Sequence, residues 1–489
     1  MIGPIRVSPN GRVQNPCARE HGAIEKLVVG VVLMCHSLYT LPILTMFVVL
    51  TGCRATRNPP PLPPSGVSRP PSATAEAPPA SPEPIGRITL REAASLALMH
   101  NPRLGAISIE RRAAEARRLQ ASLRPNPELD VELESLGGSG ERSSFDAAEI
   151  TISLGQLIEL RGKRDKRIRV ASLETEMAQW DFESQRLDTL RDVTLAFVAV
   201  LAAQERLALA EQLRDLSGEA QSAVAQRVEA GKDSAVENLR ADVAFSMRRI
   251  EFQKASGALT AARHNLAAVW GARAASFEEA AGDFYAVTPA PSALDADEVI
   301  AANPDLVRWA IEQRQRQAAL DLERAKATSD ITVAAGVQHF RESDDSAFMV
   351  GLALPIPLFD RNQGGIEEAT ANLAKARKQH QAAEIEIAAM LAEAVNGLAA
   401  AYEEVQILRT DVLPRAQQAF EAAQQGYREG KFDYLYVLDT QRTFFETKVQ
   451  YIDAVEACHR ARADVERLTG RPLDPSRADD ERQSKGAEQ

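Results

Sequence analysis

Two stretches of this chain, about 200 residues apart, carry the same landmarks in the same order. Asn101-Pro102 returns as Asn303-Pro304, Gly231-Lys232 as Gly430-Lys431, and Trp270-Gly271 as Thr469-Gly470, at offsets of 202, 199 and 199 residues. Three landmarks at nearly one offset mean a duplicated unit with one plan used twice: a helix, a pair of strands, a long helix, a turn and a second long helix. The 489 residues divide accordingly into a leader at 1–52, a Pro/Ser/Ala-rich linker at 53–86, a first repeat at 87–271, an inter-repeat linker at 272–291, a second repeat at 292–470 and a polar tail at 471–489.

Each repeat opens on a helix. Thr89-Leu90-Arg91-Glu92 has the spacing of a capping box, and Asn101-Pro102 is expected to break or kink the helix that follows it. Strand signals come next. Leu129, Val131 and Leu133 alternate with Asp130, Glu132 and Glu134, and Ile150, Ile152 and Leu154 alternate with polar or small residues. The second repeat answers with Ile331, Val333, Ala335 and Val337, then Phe348, Val350, Leu352 and Leu354. Runs of about 9–11 residues suit strands that cross a bilayer, and soluble hairpins of the same pattern are the alternative. Four strands cannot close a membrane barrel, and an open sheet edge is not tolerated in lipid, so strands that span a membrane require several chains to share one barrel.

Long helices are expected over Arg164–Ala230, Ser234–Trp270, Gly365–Glu429 and Tyr434–Leu468, almost free of Gly and Pro apart from a bend at Pro414. Aromatics make up only 5% of the chain and much of its apolar content is Ala, which favours long helices packed through small side chains over a bulky compact core. A charged fraction of 26% excludes a polytopic helical membrane protein, and a net charge of −11 argues against a nucleic-acid binder held by phosphate contacts. Cys17, Cys35, Cys53 and Cys458 lie far apart, and the seven His have no metal-ligand spacing, so neither a disulfide framework nor a catalytic metal is indicated, and no cofactor is expected. No nucleophile motif or phosphate loop points to an enzyme.

Residues 27–51 contain no Asp, Glu, Lys or Arg and end in Leu50-Thr51-Gly52-Cys53. An aliphatic residue and two small ones ahead of Cys form a lipoprotein cleavage box, in which the Cys53 thiol takes the lipid. The Pro-rich segment after it cannot build a core and serves as a leash. Arg54, where an inner-membrane retention signal has Asp, favours the outer membrane. An uncleaved membrane anchor and a start codon upstream of the true one are the other readings of the long apolar run.

The run Leu96-Ala97-Leu98-Met99-His100-Asn101-Pro102, the segment Pro355-Ile356-Pro357-Leu358-Phe359-Asp360-Arg361-Asn362-Gln363-Gly364, and Tyr427-Arg428-Glu429-Gly430 with Val437-Leu438-Asp439-Thr440-Gln441 together resemble the TolC-like outer membrane efflux family over residues 86–470. The Pro355 segment looks most like the branch serving cobalt-zinc-cadmium RND pumps. The resemblance implies a mixed, mainly α fold: a long α-helical coiled-coil barrel plus a four-strand contribution to a trimeric transmembrane β-barrel. It also implies a homotrimer in outer membrane lipid, working with a periplasmic adaptor and an inner-membrane RND pump as a passive exit duct. A lipid-anchored coiled-coil envelope scaffold without a channel is the alternative.

Residue by residue, the resemblance makes Gly231 and Gly430 the hairpin turns that meet the adaptor, although a left-handed Gly is what any helical hairpin wants. It makes Glu237 and Asp439 aperture acids and Tyr427 an aromatic of the closure network; by spacing, Lys232 and Arg428 are the candidate basic partners nearby. Tyr436 stands where an acid is common in the family, and a solvated helix face is the other reading of the two acids. Pro355 and Pro357 mark the strand-to-helix joint, an architectural feature because proline ends a ladder.

Overall fold

The computed structural model of the protein describes residues 84–473, apart from 138, 141–144, 146, 232, 233 and 292–295. The leader, Cys53 and the polar tail lie outside the described residues. In chain order the elements are β1 (Gly86–Thr89), α1 (Leu90–His100), α2 (Pro102–Ser122), β2 (Glu128–Glu134), β3 (Glu149–Ile158), α3 (Lys163–Glu229), α4 (Ala235–Val269), β4 (Phe277–Ala281), α5 (Ala296–Ala302), α6 (Pro304–Lys326), β5 (Ile331–Phe340), β6 (Asp345–Ala353), α7 (Gln363–Ile407), α8 (Leu413–Arg428) and α9 (Tyr434–Thr469).

The duplication is visible in the caps. The capping box at Thr89 forms as expected, with the Thr89 amide donating to the Glu92 carboxylate at 2.8 Å and the Glu92 amide to the Thr89 hydroxyl at 3.3 Å. Asn101 then does more than precede a break. Its side-chain oxygen accepts from the amides of Arg103 and Leu104, so it caps α2 while Pro102 fills the first helical position. Asn303 repeats this at α6, accepting from Asp305 and Leu306.

α3 runs unbroken for 67 residues, about 100 Å at the helical rise. Its counterpart, Gln363–Arg428, is 66 residues long but interrupted. The bend expected at Pro414 is instead a single π turn, Leu408–Val412, between α7 and α8. Pro414 has no N–H to donate and its ring crowds the carbonyl one turn back; a wider turn relieves both without ending the rod. The most apolar part of α3 is interior: Val193, Phe197, Val200 and Leu201 are buried together with Ile88, Ala93 and Ala97 of β1 and α1.

The segment read as an inter-repeat linker, 272–291, is a packed element. Its strand β4 pairs in parallel with β1, Ile88 opposite Ala280, under the buried rings of Phe277 and Phe284. Gln204 of α3 clamps β4 by both polar groups of its amide, receiving the Ala280 N–H at 2.8 Å and donating to the Ala280 carbonyl at 3.2 Å. Five residues reading FEEAA have little strand propensity of their own; burial and this clamp hold them.

Ion pairs tie the halves together. Arg467 of α9 donates to Asp188 of α3 at 2.6 Å and to Asp305 of α6 at 2.7 Å, and Arg206 of α3 reaches Asp453 and Glu456 of α9 at 2.5 and 2.6 Å.

Candidate functional site

The four strands from the two repeats form one antiparallel sheet in the order β2-β3-β5-β6, so the repeats meet where β3 pairs with β5. The register sorts side chains into rows across all four strands. Val131, Ile152, Val337 and Phe348 share one row; Leu129, Leu154, Ala335 and Val350 share the next on the same face. Most of these large side chains are exposed, Phe348 at 93% and Val350 at 83%. The other face carries Asp130, Ser153, Gly336 and Met349 in one row and Glu132, Thr151, Gln338 and Ala347 in another. Glu128, Asp130, Glu132 and Glu134 therefore line up along β2, and Glu149 and Asp345 add two more acids to the same face in the row of Glu134. Gly336 is required there, since a β-carbon would run into the Ile152 carbonyl and the Ser153 side chain, at 2.7 Å from its Cβ. The outer edges of β2 and β6 are unpaired within the chain.

Below the sheet, each strand-to-helix joint is tied to α6 or to the turn between α6 and β5. Pro355 and Pro357 fall in the exposed segment after β6, which ends at Ala353, one residue short of the run expected to include Leu354. Asn362, in the left-handed region at φ 57°, closes the joint by donating to the Glu323 carbonyl at 2.8 Å and the Glu323 carboxylate at 2.7 Å. The joint of the first repeat is held by Asp330 of the second, which accepts from the Leu160 amide at 2.9 Å and from Lys163 at 2.7 Å.

At the far end of the long helices, Gly231 and Gly430 have φ of 69° and 74°, and a side chain on either would meet open space. Around Gly430 the helix closes by a full Schellman pair, Lys431 N–H to the Gly426 carbonyl at 2.8 Å and Gly430 N–H to the Tyr427 carbonyl at 3.0 Å. Phe432 lies flat on Gly426, which has no side chain to obstruct it, and its ring centroid is 4.7 Å from that of Tyr436.

The tip gathers some of the residues expected at the aperture. Arg227, from the last turn of α3, sits over the Tyr427 ring with its guanidinium carbon 5.3 Å from the centroid. The Tyr434 ring is 5.9 Å from Tyr427. Burial, with the nearby Tyr427 hydroxyl and Glu237 carboxylate, pushes the Tyr434 phenol above its ordinary range. Glu237 is half-buried and paired with Arg240 at 3.0 Å. Asp439 is not part of this cluster: it is exposed on α9, where its charge acts on Arg442, which pairs with Glu446 at 2.7 Å. Among the described residues the cation over the Tyr427 ring is Arg227, while Arg428 is exposed at the end of α8 and Lys232 lies outside the described residues. Arg227 precedes Gly231 by one helical turn and lies 200 residues from Tyr427 in sequence, so only the tertiary fold brings the two together.

The family model "Outer membrane efflux protein" matches this chain twice, over residues 93–272 and 296–471, one match per repeat. The chain is 35% identical over 391 residues to the cobalt-zinc-cadmium resistance protein CzcC of Cupriavidus metallidurans, covering 80% of this chain and 91% of CzcC. It is 30% identical over 329 residues to the nickel-cobalt-cadmium resistance protein NccC of Alcaligenes xylosoxydans xylosoxydans, covering 67% of this chain and 71% of NccC. Among solved structures, the outer membrane protein VceC of Vibrio cholerae superimposes with a TM-score of 0.67 at 17% identity, over 79% of this chain and 97% of VceC, so the fold is shared. With one family match on each structural repeat, this chain is a member of the outer membrane efflux protein family.

Proposed function

We propose that this protein is the exit duct of a tripartite efflux system: an outer membrane channel that passively conducts substrates delivered by an inner-membrane RND pump through a periplasmic adaptor. The observation that carries the reading is the four-stranded sheet, apolar on one face, acidic on the other and unpaired at β2 and β6. Such a sheet satisfies its edges only by pairing β6 of one copy with β2 of the next. Three copies make twelve strands, with the apolar rows towards lipid and the β2 acids towards water. The duct carries out no covalent chemistry; its contribution is shape and field.

The cargo in this reading is a heavy-metal cation. Rows of carboxylates around a common axis favour cations, and CzcC and NccC are named as cobalt-zinc-cadmium and nickel-cobalt-cadmium resistance proteins. Gly231 and Gly430 form the surface that meets the adaptor, Glu237, Tyr427 and Asp439 the periplasmic aperture, and Cys53 carries lipid that adds an anchor to the barrel. Reconstitution in planar bilayers tests the duct. A trimer by mass whose reversal potential favours cations is expected, and Glu128→Gln with Asp130→Asn and Glu132→Gln should reduce that preference; a stable, non-conducting monomer would refute the reading. Cys53→Ser should abolish palmitate labelling, and unchanged labelling would remove the lipid anchor from it.

A further inference from the structure

The apolar face of the sheet does not stop where the ladder stops. Beyond Leu352, the apolar alternation continues in sequence through Leu354 and Ile356, although the last paired residue is Ala353, opposite Thr332, and the chain then turns, the Leu358 amide donating to the Ile356 carbonyl at 2.9 Å. Ile356 is 73% exposed and Phe359 91%, and none of the described strands or helices covers them. A joint that merely redirected the chain would need no large apolar side chains held in the open.

The same end of the sheet has a distinctive charge pattern. An exposed arginine stands four residues before β2, three after β3 and eight after β6: Arg124, Arg161 and Arg361. Arg161 reaches only the Thr328 hydroxyl at 3.3 Å and Arg361 only the Leu358 carbonyl at 3.3 Å; among the described residues none of the three forms an ion pair. Other cations at this end are satisfied within the fold, Lys163 by Asp330 and Arg167 by Glu159. The neighbouring acid Asp360 turns its carboxylate onto the Asn362 amide at 2.8 Å. At the opposite end of the sheet the sign reverses, with Glu134, Glu149 and Asp345 in one row.

We propose that this rim binds anionic phospholipid of the periplasmic leaflet: Ile356, Leu358 and Phe359 enter the acyl region, and Arg124, Arg161 and Arg361 hold headgroup phosphates. The inference rests on the sheet being membrane-embedded, as proposed above. The occupant is lipid and not a second copy of the chain for two reasons. Leu354 and Ile356 follow on directly from the exposed apolar residues of β6, and a neighbouring copy would bring the same arginines to the same level. Guanidinium matches phosphate oxygens in a bidentate manner, and a basic side chain at an anionic surface strengthens binding about fivefold.

The test uses the full-length trimer in vesicles of phosphatidylglycerol and phosphatidylcholine with dibrominated chains. Phe359→Trp and Val350→Trp are each compared with the unaltered protein, whose three Trp supply the background. Quenching at both positions is expected. Quenching at 350 but not at 359 overturns the proposal and means that the rim is covered by protein. No quenching at either overturns it together with the membrane-embedded sheet. The headgroup half is read by native mass spectrometry of detergent-purified trimers. Phosphatidylglycerol should be retained over phosphatidylcholine, and the preference should fall by about fivefold for each of Arg124→Gln, Arg161→Gln and Arg361→Gln. Equal retention of the two lipids by the unaltered trimer would overturn it.

Discussion

The side-chain amide of Asn303 donates to the main-chain carbonyl of Leu468 at 2.9 Å, joining the start of α6 to the end of α9. Asn101 makes the equivalent bond to Val269 at 2.7 Å, joining α2 to α4. Each Asn thus caps one helix and receives the end of another, closing its repeat into a ring. Asn303 is completely buried. Asn303→Ala is expected to cost roughly 2–3 kcal/mol, because it uncaps α6 and removes the partner of the part-buried Leu468 carbonyl. Asn101→Ala, at a less buried site, should cost about 1 kcal/mol. Denaturant unfolding of the two variants under identical conditions measures the difference; equal and negligible effects would show that the bonds do not support the rings.

The hairpin turn of the second repeat separates two roles of glycine. Gly430 has positive φ and free space around it, so Gly430→Ala should cost about 1 kcal/mol of backbone strain while trimers still assemble. A bulky residue at Gly231 or Gly430 should abolish export from intact trimers if the adaptor docks there. Gly426→Ala acts differently, since its methyl group would displace the Phe432 ring. Adding Phe432→Ala should restore most of the melting temperature lost by Gly426→Ala, whereas it should do nothing for Gly430→Ala.

Arg227 over Tyr427, with Tyr434 alongside, is the contact best placed to hold the two hairpins of one chain together. A cation–π pair of this kind contributes about 0.5–1 kcal/mol where exposed. Arg227→Gln and Tyr427→Leu should each raise leak conductance in planar bilayers, and the double variant should add little beyond either one. Glu237→Ala with Asp439→Ala should lower cation preference and block by divalent ions. Unchanged selectivity in that variant would return both acids to the status of a solvated helix face.

Acid stability has a specific source in Asp305. Burial works to raise this carboxyl, but hydrogen bonds from Arg467 and Ser184 and the charge of Arg467 outweigh it and bring it below the usual carboxylate range. A carboxyl lowered in the folded state releases its proton more readily there than in the unfolded chain. Its contribution is therefore complete above the unfolded carboxylate value and is lost as pH falls through the folded one. Asp305→Asn should lower stability near neutral pH and flatten the acid side of the stability profile. A profile parallel to that of the unaltered protein would assign the acid dependence to other pairs.

Local chemistry made much of this molecule legible from its residues alone. The period-2 runs located all four strands of the large sheet, the near-absence of Gly and Pro set the helix lengths, and Thr89, Gly231 and Gly430 marked helix ends, because each depends on neighbours within a few positions. The offset of about 200 residues exposed the duplication, since repeated backbone geometry demands repeated residue types. Tertiary structure decided the rest. Periodicity states which side chains share a face but not which strand lies beside it, so the β3–β5 seam and the parallel pairing of β1 with β4 depended on the packed fold. The cation for Tyr427 came from another helix, and so did the polar clamp on β4. The π turn before Pro414 arose because continuing the rod towards the tip was more favourable than breaking it, and only the packing along the whole helix sets that balance.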